Sequence, residues 1–150
     1  PGVISDEQAR SAGRPVGNAG LFSAVGDLAR FARMMLAGGT LFGPSSWRLL
    51  TSPCTPPELP ARSFGWDMRP RADNLHRPAR FSPAAIGHGG WTGQSIWLDP
   101  RQGFHVIILT NRTHELPYAT TLEASCAFRG RLADILTDHL RREARRKTGR

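Results

Sequence analysis

Seven residues, Gly87-His88-Gly89-Gly90-Trp91-Thr92-Gly93, set one imidazole into a backbone almost bare of side chains. The run continues as Gln94-Ser95-Ile96-Trp97-Leu98-Asp99-Pro100, a strand-like pattern. Glycine has no Cβ, so a second backbone or a ligand can come close to it. A titratable histidine beside such a strand suits a site that reads a carbonyl or a carboxylate. The plain structural alternative is a glycine turn with a surface histidine. No other residue type or spacing in the chain offers the nucleophile that such a site would serve.

Other chemistries find less support. The five histidines, at 76, 88, 105, 114 and 139, lack metal-ligand spacing, so no metal site is expected. Cys54 and Cys126 stand far apart with no C-x-x-C pattern; two free, partly buried thiols are expected, with a disulfide left open. The net charge of +8 is uneven: from Arg129 to Arg150 eight Lys/Arg face three Asp/Glu, giving the tail +5. Such a tail can bind nucleic acid or an anionic surface. No aromatic platform or RNA-binding signature accompanies it, so a solvated helix end is the preferred reading. Only Lys147 is a lysine among twenty basic residues.

The elements that must position His88 follow from periodicity. Residues 1–22, rich in Gly, Ala and Arg, predict an extended, looped lead-in. Ser23 is a candidate N-cap for a helix carrying Leu28, Phe31, Ala32, Met35 and Leu36, with Gly38-Gly39 as its stop. A second helix is expected from Pro44 to about Leu50, and four prolines in 53–62 predict a surface loop. Ser63–Arg69 reads as a short strand. Three further strands are expected at about 84–91, 94–99 and 104–110, the last two joined as an antiparallel hairpin across Asp99–Gly103. A final helix begins near Ala119 and should bury Leu122, Cys126, Leu132, Ile135, Leu136 and Leu140, with Gly130 weakening its middle. At 150 residues, 39% hydrophobic and 21% charged, this is one domain without an apolar run long enough for a membrane span. No signal peptide stands at Pro1-Gly2-Val3, where the chain looks cut from something longer.

Two segments together resemble the serine β-lactamase-like hydrolases: class C β-lactamases, DD-carboxypeptidases, D-aminopeptidases and related esterases. They are Asn18–Ser23 running into Asp27–Leu36, and Gly87–Gly93 with Ser95–Pro100 and Ile108–Arg112. Phe64-Gly65-Trp66-Asp67 and the closing helix occur in the family's order as well. The resemblance covers nearly all of the chain but only the C-terminal portion of the β-lactamase/transpeptidase-like fold. It implies an α+β architecture, an antiparallel sheet flanked by helices, with residues 1–150 as one partial domain.

The family's chemistry is acyl transfer by a serine of an S-x-x-K motif, helped by a Y/S-x-N motif, and it calls for no cofactor. The resemblance makes His88-Gly89-Gly90 the third motif, K/H-x-G. His88 would face the substrate as a hydrogen-bond donor or electrostatic partner. The backbone N–H of Trp91 would be one of two oxyanion-hole donors, and Gly89 and Gly90 would let substrate lie against the strand. No serine here has a lysine three residues on, and no Y-x-N or S-x-N triplet occurs. Lys147-Thr148-Gly149 spells K-T-G in an arginine-rich tail, where it is a decoy. In the class C branch an amide and an arginine after the last strand grip the antibiotic's carboxylate; the matching positions here are Leu116 and Ala119. With histidine at 88, this points toward the peptidase and esterase branches.

The leading expectation is thus the C-terminal part of a serine hydrolase acting on an amide or ester, with a small-molecule, peptide or ester substrate. The missing N-terminal part of the same fold is its expected partner, pairing a strand with 104–110, whose apolar edge would otherwise be exposed. A non-catalytic binding module and a basic-tail binder of nucleic acid or anionic surfaces are the alternatives. Relatives of this kind are often exported, so a periplasmic or extracellular site fits the resemblance.

Overall fold

The computed structural model describes residues 2–114, 117 and 120–148, with the side chain of Thr148 left aside. The lead-in is not all loop. Asp6 accepts from the Ala9 N–H at 2.7 Å and so caps a one-turn helix, α1 (Glu7–Ser11), that buries Ala9. Helix α2 (Val25–Leu36) turns Ala32 and Met35 fully inward, while Phe31 lies at its margin, stacked on Trp66. Ser23 is not its cap: Ala24 holds that position without a side-chain bond, and Asp27 in the first turn pairs with Arg30. Gly38 and Gly39 end the helix at φ +86° and +62°, a region costly for any residue with a Cβ. Helix α3 (Pro44–Thr51) starts on its proline, whose missing N–H costs nothing there.

The expected strand at Ser63–Arg69 is reduced to two isolated bridges, Arg62 with Asp67 and Asp67 with Gly87. Beyond Asp67 the Arg69 backbone N–H goes to the Asp67 carboxylate, at 2.9 Å, and not to a neighbouring strand. Three strands form the sheet: β1 (Ile86–Gly89), β2 (Ser95–Asp99) and β3 (Phe104–Ile108), antiparallel in the order β1-β2-β3. His88 lies opposite Ile96, and Trp97 opposite both Gly87 and Val106.

Alternation along each strand gives the sheet two faces. Ile86, Ile96, Leu98 and Ile107 meet α2 through Ala32 and Met35. Trp97, Val106 and Ile108 meet the long helix α4 (Leu122–Thr148) through Ala133, with Phe81 and Ala85 completing that layer. The residues of α4 that are buried are Ser125, Arg129, Ala133 and Thr137, a stripe at intervals of four, with Gly130 beside it. This overturns most of the expected buried side, of which Leu132 is partly buried against the core. Leu122, Ile135, Leu136 and Leu140 are 40–63% exposed, and Cys126 is half-buried. The helix lies on the sheet by its small and polar stripe because Arg129 and Gly130 are drawn to partners there. A Cβ on Gly130 would run into the Arg71 guanidinium and the Leu75 carbonyl. Gly130 is therefore a notch that admits a neighbouring loop, rather than a mere weak point.

Among the described residues nothing pairs with the outer edge of β3. Large apolar side chains are also exposed on the α2 side, among them Leu21, Phe22, Leu41 and Phe64. Both cysteines are free, Cys54 being exposed rather than partly buried. No helix is long and apolar enough to cross a membrane among the described residues. The final helix starts at Leu122, three residues later than expected; Leu116, Ala119 and Gly149 themselves fall outside the described residues. Lys147 lies in the last turn of α4 and on no strand.

Candidate functional site

Each glycine of the His88 segment is required by something specific. At Gly87 a Cβ would strike the Trp97 indole and lie 2.6 Å from the Ile96 carbonyl oxygen. At Gly89 it would sit 3.0 Å from the His76 ring, and at Gly90 it would sit 2.7 Å from Gln94 Oε1. The room left by Gly89 and Gly90 is thus taken up by the chain's own side chains. A substrate lying along β1 would meet its outer backbone edge instead.

That edge has a definite polarity. Gly87 exchanges both backbone bonds with Asp67 on the outside of β1, at 2.8 and 3.2 Å. Gly90 points the other way, its N–H donating to the Gln94 carbonyl at 2.7 Å. Backbone groups alternate along a strand, so Gly89 faces the outer edge, and Trp91 is next in turn to do so. The His88 side chain is exposed, on the sheet face shared with Ile86 and Ile96. Its Nδ1 stands 3.0 Å from the Gly89 carbonyl oxygen, which can only accept, so Nδ1 carries the proton in that contact and Nε2 is left as the acceptor nitrogen.

Two arginines hold the turn after β1. Arg112 donates from Nε to the Trp91 carbonyl at 2.8 Å, and its guanidinium lies 4.2 Å from the indole centroid of the half-exposed Trp91. Arg129, only 1% exposed, donates from Nη1 to the carbonyls of Gly90, at 3.3 Å, and of Gln94. It also reaches the Ser125 carbonyl and Cys126 Sγ, each at 3.2 Å. Among the described residues no carboxylate lies within ion-pair distance of it. Burying an unpaired cation costs several kcal/mol, which this fan of carbonyls offsets.

Beneath Gly89 lies His76, whose Nδ1 accepts from Trp97 Nε1 at 3.2 Å. Burial, and next the charge of Arg129, push its pKa down to about 4, so the ring is neutral at pH 7. Asp67, which pairs β1 from outside, is 2% exposed. Burial alone would raise its carboxyl, but bonds from Arg69 outweigh this and hold it below the ordinary carboxylate range. A groove of about 770 Å³ beside α1, lined by residues 13–21, holds no histidine, serine or cysteine and is set aside as a reactive site.

The structure thus keeps His88, Gly89, Gly90 and Trp91 together on one strand and its turn. Leu116 and Ala119, the expected carboxylate-gripping positions, lie outside the described residues. Sequence reading missed His76, Arg112 and Arg129. Arg129 had been counted with the basic tail, although its spacing of four from Ser125 and Ala133 marks a helical stripe. Among the described residues no group of three His, Cys, Asp or Glu could hold a metal ion.

The chain is similar to known proteins. The profile of the family described as Beta-lactamase matches residues 2–127. A protein of Escherichia coli K12 named "Putative D-alanyl-D-alanine carboxypeptidase" is 32% identical over 120 residues, covering 75% of this chain and 27% of its own length. Proteins of the same name from Salmonella paratyphi B and Salmonella newport are 34% identical over the same shares. The chain thus spans about a quarter of the length of these relatives. With most of its residues inside the family profile, the chain belongs to the β-lactamase family of serine hydrolase-like proteins.

Proposed function

We propose that this chain forms the C-terminal wall of an acyl-transfer site acting on an amide or ester, in the peptidase or esterase branch of its family. The observation that carries the reading is the outer edge of β1. Exposed His88, the backbone of Gly89 and the Trp91 amide line it, beyond the point where Asp67 pairs with Gly87. In this reading His88 binds substrate through Nε2, Trp91 N–H stabilises the oxyanion, and Gly89 offers backbone bonds along the strand. The serine and its lysine come from the N-terminal part of the same fold. The open edge of β3 and the exposed faces of α2 and α4 are the surfaces that this part would cover.

The test begins with the gene upstream of the Pro1 codon. An in-frame S-x-x-K followed by Y-x-N is expected, and the longer product should hydrolyse an acyl-D-Ala-D-Ala peptide, a simple ester or a chromogenic β-lactam. In that product His88→Ala should lower kcat/KM on the order of 10²-fold. A stop codon or unrelated sequence would sink the enzymatic reading. The absence of both motifs from these 150 residues supports a second reading, a ligand-binding remnant of the fold. Saturable binding of acyl-D-Ala ligands by this chain, without turnover in any longer form, would select it.

A further inference from the structure

We infer that Arg129 is the positioning residue for the Trp91 amide, setting both the direction and the polarity of the donor on which the acyl-transfer reading rests. The Gly90 carbonyl and the Trp91 N–H are the two ends of one peptide unit. Such units are planar and trans, so the N–H points away from the C=O. The carbonyl end is held from the α4 side by Arg129 Nη1 at 3.3 Å and by the Gly93 N–H at 3.1 Å. The same guanidinium nitrogen grips the Gln94 carbonyl, which also closes the turn through the Gly90 N–H. Rotating the unit would break both bonds to the Gly90 carbonyl and take one acceptor from a buried cation. The Trp91 N–H is therefore directed toward the outer edge of β1.

Charge acts in the same sense as geometry. A cation on the carbonyl oxygen draws electrons through the amide and strengthens the donor at its far end. The placement of Arg129 has a purpose that packing alone does not explain. It is 1% exposed, faces no carboxylate among the described residues, and gives Nη1 to the two carbonyls that bracket the turn, while Nε and Nη2 bond its own helix at Ser125 and Cys126. A hydrophobic residue at this point of the α4 stripe would cost less to bury.

The experiment uses the ¹⁵N-labelled 150-residue chain, with no substrate, as wild type, R129K and R129Q. In the wild type the Arg129 guanidinium protons should be protected from exchange and show cross-relaxation to Gly90 and Gln94; a freely exchanging guanidinium would overturn the inference. In R129Q the Trp91 amide should shift upfield in both dimensions, with R129K intermediate because it keeps the charge but loses the fork. The amides of Arg101–Gly103 at the other end of the sheet should stay in place. Equal shifts in R129K and R129Q, or an unmoved Trp91 amide in either folded variant, would reduce Arg129 to a filler. In a longer, active product R129Q should lower kcat roughly tenfold with KM nearly unchanged, since an oxyanion donor contributes about 10²–10³ and is here misaimed rather than lost. If no longer product is active while the Trp91 shift is seen, the acyl-transfer reading fails and the positioning of the amide stands.

Discussion

The two turns of the sheet are closed by opposite charges. Between β2 and β3 the carboxylate of Asp99, fully buried, accepts from the Ser82 N–H and hydroxyl, the Arg101 and Gln102 N–H groups and Gln102 Nε2. Between β1 and β2 the guanidinium of Arg129, equally buried, donates to carbonyls. An anion at the centre of a turn gathers its N–H groups inward, whereas a cation gathers its carbonyls and turns the amide side outward. The first arrangement makes a turn that is stable and chemically silent. The second makes one that can present donors to a substrate. The proposed site and the inert end of the sheet differ by the sign of one buried charge.

The largest expected effect breaks that symmetry in stability. Asp99→Ala should cost about 3–5 kcal/mol in urea unfolding, because several donors lose their shared acceptor. Arg129→Gln should cost less, about 1–3 kcal/mol, since Gly90 O keeps its bond from Gly93 and carbonyls tolerate a lost partner better. A larger loss at Arg129 than at Asp99 would refute the contrast.

Acid should separate the two ends next. His76, beneath Gly89, has its pKa lowered to about 4 from an unfolded value of 6.5. Between those values the unfolded chain takes up a proton that the fold refuses, so stability falls as pH drops from 6.5 to 4. The loss is at most about 3 kcal/mol, and His76→Gln should flatten this part of a pH-stability curve. The Asp99 carboxylate keeps its charge in that window, while His105 on β3, its pKa lowered by burial and by Arg33, adds to the loss. Burial by itself would raise the Asp99 carboxyl, but bonds from Ser82 and Gln102 outweigh this and hold it below its ordinary value, so its contribution is lost only at lower pH.

The smallest effect concerns the turn glycines. Gly93 (φ +121°) would place a Cβ 2.8 Å from Thr110 Oγ1, whereas Gly103 (φ +70°) has open space around it. Gly93→Ala should cost about 2 kcal/mol or more, and Gly103→Ala about 1 kcal/mol, measured as thermal midpoints. Equal costs would mean that the first turn is not the tighter one.

Much of this was legible from residue order. The apolar spacing of α2, the proline at the start of α3 and the hairpin across Asp99–Gly103 are local signals, and each element formed where its signal stood. The α+β character and the His88 strand followed from the same signals, and the family profile agrees with the resemblance drawn from them. Helix α4 was misread because periodicity reports where apolar residues are, not which face the rest of the chain covers. Leu122, Ile135 and Leu140 stay exposed, while a guanidinium is buried. Arg129 could not be found by residue type, because its partners are backbone carbonyls that leave no trace in composition. The Asp6 cap of α1 was legible in principle, but one turn of helix gives periodicity nothing to repeat.

The notch at Gly130 makes α4 an indexed part. Arg71, bonded to the Leu75 and Arg77 carbonyls, sits where only a residue without a side chain can pass. Were the 27-residue helix to slide by one turn along the sheet, Cys126 or Asp134 would meet that obstruction. The helix therefore has a single setting along its axis, and the residue beside the notch is Arg129. A substitution at Gly130 would thus act as a misalignment, moving the cation off the Gly90 carbonyl from a position that never touches the turn.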